Sequence, residues 1–182
     1  MPSLRVLARR FLGLDGPQGW TTIQTQVQGD FSRAAAPAEA RGYPGDYTGP
    51  VSPYGPLAEG AGPGEVVWAH VPFEEDHSRG KDRPTLVVGQ DGGWLLGVPM
   101  TSQDHDRDEE QERRAGRHWI DVGTGAWDSR GRPSEARVNR IVRLDPATVR
   151  REGGTVSPEV YAAVVHAIDA VSRGLAYDDD PV

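Results

Sequence analysis

Cysteine is absent from this chain of 182 residues, and lysine occurs only once, at Lys81. The lack of cysteine excludes disulfides and thiolate metal ligands. No apolar run approaches the ~20 residues that span a bilayer, and the N-terminus lacks the uninterrupted apolar core of a signal peptide. We therefore expect a cytoplasmic protein without a membrane segment.

The charge balance is acidic, with a formal net charge of -7 and 20 basic residues, of which all but one are arginine. Nonspecific nucleic-acid binding grows with the number of phosphates that basic residues neutralise, so this balance argues against it. Arginine nevertheless suits bidentate phosphate contacts. Any RNA site must therefore be a local basic groove.

The composition divides the chain near Gly64. Glycine and proline make up 12 of the 23 residues from Gly42 to Gly64, which resists both helix and sheet. We predict a Pro/Gly-rich flexible extension over residues 1–63, a single domain over 64–174 and an acidic tail over 175–182. A solvated spacer is favoured over packing for the tyrosines of this stretch, Tyr43, Tyr47 and Tyr54.

Within the predicted extension, Leu4, Leu7, Phe11 and Leu14 fall on one helical face, with arginines beside them. A short basic amphipathic helix that docks on a partner is one interpretation. A frayed tail is favoured, because so short a helix is marginal by itself.

From Gly64 onward the pattern predicts several short strands followed by a helix, which together make a small α+β barrel. The helix should begin with Ser157 as N-cap and Pro158 at its first position, and should stop at Gly174. The predicted strands cover Gly64–Phe73, Pro84–Gln90, Trp94–Thr101, Trp119–Gly123 and Arg137–Leu144.

Three segments, in this order, resemble the PemK/MazF family of toxin ribonucleases: GEVVW (Gly64–Trp68), DRPTLVV (Asp82–Val88) and VPMTSQ (Val98–Gln103). Farther on, ARVNRIVRLD (Ala136–Asp145) is similar to a later family strand, and GTVSPEVYAAVVHAI (Gly154–Ile168) to its closing helix. The resemblance implies an SH3-like, PemK/CcdB-like β-barrel with a C-terminal helix. It also implies a homodimer and a cognate antitoxin.

The activity that the resemblance implies is cleavage of single-stranded RNA at selected sequences, to a 2′,3′-cyclic phosphate, by the toxin of a type II toxin–antitoxin pair. Such cleavage uses the adjacent 2′-OH as nucleophile and needs a base, an acid and cationic donors for the phosphorane charge. It needs no metal and no cofactor.

Arg83 and Thr101 are the first candidates for this chemistry. The guanidinium fork of Arg83 can hold two phosphate oxygens, and Pro84 stiffens the backbone that follows. Thr101 would bind the phosphate or orient the 2′-OH. The plainer alternatives are a surface arginine paired with Asp82 and an ordinary polar strand residue. Further candidates for substrate binding are Ser78, Lys81, Ser102, Gln103 and Arg140.

The general base must be a side chain other than Arg83. Arginine stays protonated and is a poor base, and Ser78 stands where some family members carry a glutamate. His77 lies in the same loop, and imidazole exchanges protons near neutral pH. His77 is therefore the candidate base, against the alternative of a solvated loop histidine.

Two charged patterns are weaker signals. Asp104–Arg117 lacks a fixed metal-ligand spacing and is interpreted as a solvated hairpin extension. Arg137, Arg140 and Arg143 recur every third residue, so they alternate between the faces of a strand.

The alternative to an enzyme is a noncatalytic binding module on the same fold, either DNA-binding or directed at a topoisomerase. Ser78, Asn139, the acidic charge and the long N-terminal extension favour this module. Arg83 and Thr101 favour the enzyme.

Overall fold

The computed structural model describes residues 42–57, 60–102 and 116–182, all within one compact unit, Arg33–Val182. The described residues form six strands and one C-terminal helix, which confirms the predicted α+β class. The elements are β1 (Val66–Pro72), β2 (Gly80–Asp91), β3 (Trp94–Thr101), β4 (Trp119–Asp121), β5 (Glu135–Arg137), β6 (Val142–Leu144) and α1 (Pro158–Ser172).

The six strands form one antiparallel sheet in the order β1-β2-β3-β5-β4, with β6 also paired to β3. β1 pairs with β2 from Val66 opposite Leu86 to Pro72 opposite Gly80. β3 is shared along its length, because β6 pairs with its beginning and β5 with its end at Met100 and Thr101. The end of β3 is therefore flanked on one side by β2 and on the other by β5.

The closed SH3-like barrel that we expected is not observed. In the described ranges no ladder joins β1 back to β4 or β6, so the sheet stays open. The outer edge of β1 is instead covered by the chain that leads to α1, through single bridges from Trp68 to Arg150 and from Glu65 to Thr155. These bridges satisfy edge groups that barrel closure would otherwise pair.

The strand predicted over Arg137–Leu144 is divided into β5 and β6 by a turn. The Arg140 amide donates to the Arg137 carbonyl at 3.3 Å and so interrupts the extended backbone. This turn carries Arg140 out of the strand and toward the end of β1, where it accounts for part of the site described below.

Alternating side chains of the central strands pack on the two faces of the sheet. Leu86, Val88 and Leu96 belong to the larger core, which α1 completes with Tyr161, Val164 and Ala167. Val87, Leu95 and Val142 belong to a smaller core on the other face. Because both faces of β2 and β3 are buried, these strands form a rigid support for the residues at their ends.

The helix follows the prediction at both ends. The Ser157 hydroxyl accepts a hydrogen bond from the Val160 amide at 3.2 Å, Pro158 is the first helical residue, and Gly174 follows the C-cap with a φ of 68°. α1 does not reach the length and apolarity of a membrane-crossing helix, and the described residues contain no other helix.

Residues 42–57, which we call the N-terminal strap, are bonded to the sheet. The Tyr47 amide donates to the Ile141 carbonyl at 2.7 Å, and the Ser52 amide to the Val88 carbonyl at 2.8 Å. The strap crosses at a bulge where Gly89 has a φ of 155°, and a Cβ there would lie 2.9 Å from the Ser52 hydroxyl oxygen. Interpreting this stretch as a solvated spacer was wrong, whereas the boundary near residue 63 stays a prediction.

Candidate active site

A groove of about 380 Å³ lies where the end of β1 and the loop after it meet the end of β3. One wall comes from β1 and its loop, the floor from β2 and β3, and the other wall from β4, β5 and the following turn. The lining residues are Val71, Pro72, Phe73, Glu74, Glu75, Arg83, Pro99, Met100, Thr101, Arg117, Trp119, Arg137 and Arg140.

Arg83 and Thr101 meet in this groove. Thr85 pairs with Pro99 across β2 and β3, and Arg83 and Thr101 are each two residues beyond that pair. Both residues therefore leave this ladder at the same end, and both line the groove. The two residues that the sequence ranked first are thus together on adjacent strands.

The groove is basic although the chain is acidic. Its lining contains four arginines, against two glutamates from the loop after β1. A chain with a net charge of -7 thus concentrates positive charge at one concave place. This is the arrangement that an acidic chain requires if it is to bind RNA locally.

The environment of Arg83 favours an anion beside it. Burial lowers the pKa of the Arg83 guanidinium, and the positive charges of Arg140 and Arg137 lower it further. The charged form is therefore less stable here than in water, and a phosphate placed among the three arginines would relieve the repulsion.

Arg140 lines the groove, yet its side chain is only 8% exposed. Its Nε donates to Asp46 Oδ2 at 2.8 Å, and its Nη2 donates to the Pro72 carbonyl at 2.8 Å. Arg140 was predicted to bind substrate, and in the structure its side chain is bonded mainly to the protein itself.

Arg137 is held by one neighbour from the loop after β1 and one from the turn after β5. Its Nη1 pairs with the Glu74 carboxylate, and its Nε donates to Asn139 Oδ1 at 3.1 Å. The Asn139 side chain also donates to the Gly116 carbonyl and accepts from the His118 amide. Asn139 therefore joins the turn after β5 to the chain that enters β4.

The sequence family described as PemK-like, MazF-like toxin of type II toxin-antitoxin system matches residues 62–172, more than half of the chain. The chain belongs to this family. Membership supports, at family level, a toxin–antitoxin endoribonuclease, and this family implies an RNA substrate and an antitoxin partner. No curated protein matches it in sequence. Among solved structures it is similar to MazF from Deinococcus radiodurans, at 17% identity and a TM-score of 0.44, over 62% of this chain and 96% of that one.

The candidates from the loop of this PemK/MazF domain lie apart from the groove lining. His77 packs its ring edge-on against Tyr43, with 4.8 Å between centroids. The Ser78 amide and hydroxyl both donate to Asp76 Oδ1, and these bonds lower the pKa of Asp76. Lys81 lies exposed on β2 opposite Val71. None of these three is among the residues that line the groove.

Of the two substrate-binding candidates that follow Thr101, the structure describes Ser102 but not Gln103. Ser102 hydrogen-bonds to Asp128, whose pKa is lowered chiefly by Arg132 and also by Ser102. Gln103 lies outside the described residues, as does most of the charged segment Asp104–Arg117. The N-terminal residues of the predicted amphipathic helix also lie outside them.

Sequence reasoning missed Glu75 as a groove residue. Within the described ranges Glu74 pairs with Arg137, whereas Glu75 lines the groove with no hydrogen bond or ion pair. The position of Glu75 just beyond the end of β1 was the available signal, since β1 delivers the next few residues to the groove.

The described residues contain no group of three histidine, aspartate or glutamate side chains that could hold a metal ion. The acidic groups near the groove are instead adjacent to arginines, as Glu74 and Asp46 show.

Proposed function

We propose that this protein is a metal-independent, sequence-selective endoribonuclease that acts in the cytoplasm and cleaves single-stranded RNA to a 2′,3′-cyclic phosphate. The observation that carries this proposal is the meeting of Arg83 and Thr101 in a groove lined by four arginines. Family membership supports the broader assignment, and the groove supports the finer one.

In the proposed reaction the ribose 2′-oxygen attacks the adjacent phosphorus. A bond forms between the 2′-oxygen and phosphorus, the bond to the 5′-oxygen breaks, and no water is consumed in this step. A base takes the 2′-OH proton and an acid returns a proton to the departing 5′-oxygen. Arg83 stabilises the charge of the phosphorane, and the Thr101 hydroxyl holds the phosphate or the 2′-OH in line.

Two residues compete for the role of general base. His77 belongs to the loop after β1, but its ring contacts Tyr43 and lies outside the groove lining. Glu75 lines the groove itself, and within the described ranges no cation neutralises it. A base must reach the proton that it removes, so the geometry favours Glu75.

The test is incubation of the purified full chain with single-stranded RNA in the presence of a chelator. The proposal expects cleavage at a restricted set of sequences, with cyclic phosphate at the new 3′ ends. Cleavage that stops on chelation would contradict metal independence. RNA or DNA binding without any cleavage would favour the noncatalytic module.

Glu75→Gln should lower the cleavage rate by about 100-fold, the scale of a general base. The amide keeps the size of the side chain but cannot take the proton. Glu152→Gln is the matched control, because Glu152 is exposed and is not among the residues that line the groove. His77→Asn should retain most of the activity, and the reverse ranking of Glu75→Gln and His77→Asn would assign the base to His77.

The homodimer is a further prediction. Light scattering on the full chain at micromolar concentration should give twice the 19.7 kDa mass of one chain. A mass of one chain under these conditions would contradict it.

A further inference from the structure

The N-terminal strap contributes a carboxylate to the neighbourhood of the groove. Asp46 accepts hydrogen bonds from Arg140 Nε at 2.8 Å, from Arg140 Nη2 at 3.4 Å and from the Tyr43 hydroxyl. Burial alone would raise the pKa of Asp46, but the bonds from Arg140 and Tyr43 bring it below the usual value. Asp46 is therefore a charged partner of a groove arginine, although it lies outside residues 62–172 that match the family.

Arg140 also contacts the wall of the groove. Its Nη2 donates at 2.8 Å to the carbonyl of Pro72, the last residue of β1. The loop of residues 73–79 starts at the next residue and contributes Phe73, Glu74 and Glu75 to the groove. The Phe73 amide donates to the Arg79 carbonyl at 2.9 Å and closes the loop. The Arg140 guanidinium thus joins the strap to the point where the 73–79 loop begins.

We propose that Asp46 is a positioning residue, which holds Arg140 so that the 73–79 loop keeps its place beside Arg83 and Thr101. In this proposal the strap contributes to RNA cleavage through Asp46. The effect on catalysis rests on the proposed function, whereas the effect on the loop does not.

The buried charge of Arg140 explains why Asp46 should matter. An unpaired charge in a protein interior is costly, so Arg140 without Asp46 must find another anion. The nearest carboxylate is Glu74, 3.7 Å from Arg140 Nε, and it already pairs with Arg137. Removing Asp46 would draw Glu74 toward Arg140 and displace the loop that also carries Glu75.

The competing role for Asp46 is to weaken the attraction between the groove arginines and the RNA phosphate. This role predicts a different result. A carboxylate near a phosphate site weakens phosphate binding, so its removal would lower KM for RNA and leave kcat unchanged. Positioning predicts a fall in kcat, because a small displacement of reacting groups slows the chemical step.

The experiment compares Asp46→Asn with Asp91→Asn in the full chain. Asp91 forms a matched pair with Arg143, at 2.8 and 3.0 Å, and Arg143 also binds the strap carbonyls of Gly45 and Asp46. The control therefore weakens the other anchor of the strap without touching Arg140. Hydrogen exchange of the amides in residues 73–79 reports on the loop, and single-turnover and steady-state cleavage report on kcat and KM.

Asp46→Asn should accelerate exchange in the 73–79 loop by about tenfold, since a local anchor is lost, and should lower kcat by about tenfold without raising KM. Asp46→Glu should restore much of both, and Asp91→Asn should change neither. Unchanged loop exchange in Asp46→Asn would overturn the proposal, as would equal effects in Asp91→Asn. If the wild-type chain cleaves no RNA, the proposed function fails, and loop exchange still decides the role of Asp46.

Discussion

Arg83→Ala should lower RNA cleavage by at least about 100-fold, the scale of removing one preorganised charge stabiliser. Arg83 and Thr101 both lie just beyond the same end of the β2–β3 ladder, and burial lowers the pKa of the Arg83 guanidinium. A phosphorane carries more negative charge than the bound substrate, so the loss should appear mainly in kcat. Single-turnover cleavage of an RNA that the wild-type chain cuts measures it.

Two further variants separate the guanidinium from charge in general. Arg83→Lys keeps the charge but loses the two-pronged contact, so it should recover only part of the rate. Arg173→Ala is the matched control, because Arg173 is an exposed arginine at the end of α1 and is not part of the groove lining. Wild-type cleavage by Arg83→Ala would remove Arg83 from the mechanism.

The secondary structure of the domain was readable because its signals are local. Trp94–Thr101 has the predicted bounds, and Ser157, Pro158 and Gly174 mark the helix ends as their cap preferences indicate. The break between β5 and β6 was not readable, since it depends on how two short segments share β3. The open sheet likewise depends on nonlocal bridges, such as that between Trp68 and Arg150.

The candidate site was readable only in part. Arg83 and Thr101 lie at the same end of the hairpin that β2 and β3 form, so short-range pairing brings them to one groove. The contact between Asp46 and Arg140 spans 94 residues and leaves no periodic trace in the sequence. Glycine and proline content wrongly predicted a solvated spacer for the strap. The strap is held by backbone hydrogen bonds, such as that from the Tyr47 amide to the Ile141 carbonyl, and composition does not reveal these bonds.

The strap should also support folding, although the sequence predicts a flexible extension over residues 1–63. A chain that starts at residue 62 loses Asp46, the main anion of Arg140, whose side chain is only 8% exposed when the strap is present. It also loses the backbone bonds of Tyr47 and Ser52 to the sheet. We expect the free energy of unfolding to fall by at least about 3 kcal/mol, the scale of breaking a buried ion pair from one side.

Urea denaturation of this shortened chain, compared with a chain that starts at residue 42, measures the contribution of the strap alone. Introducing Arg140→Met into the shortened chain should recover part of the loss, because an apolar side chain of similar length needs no counter-ion. The same change in the longer chain should be destabilising, since it leaves Asp46 without its partner. Equal unfolding free energies for the two unsubstituted chains would show that the strap lies on the domain without stabilising it.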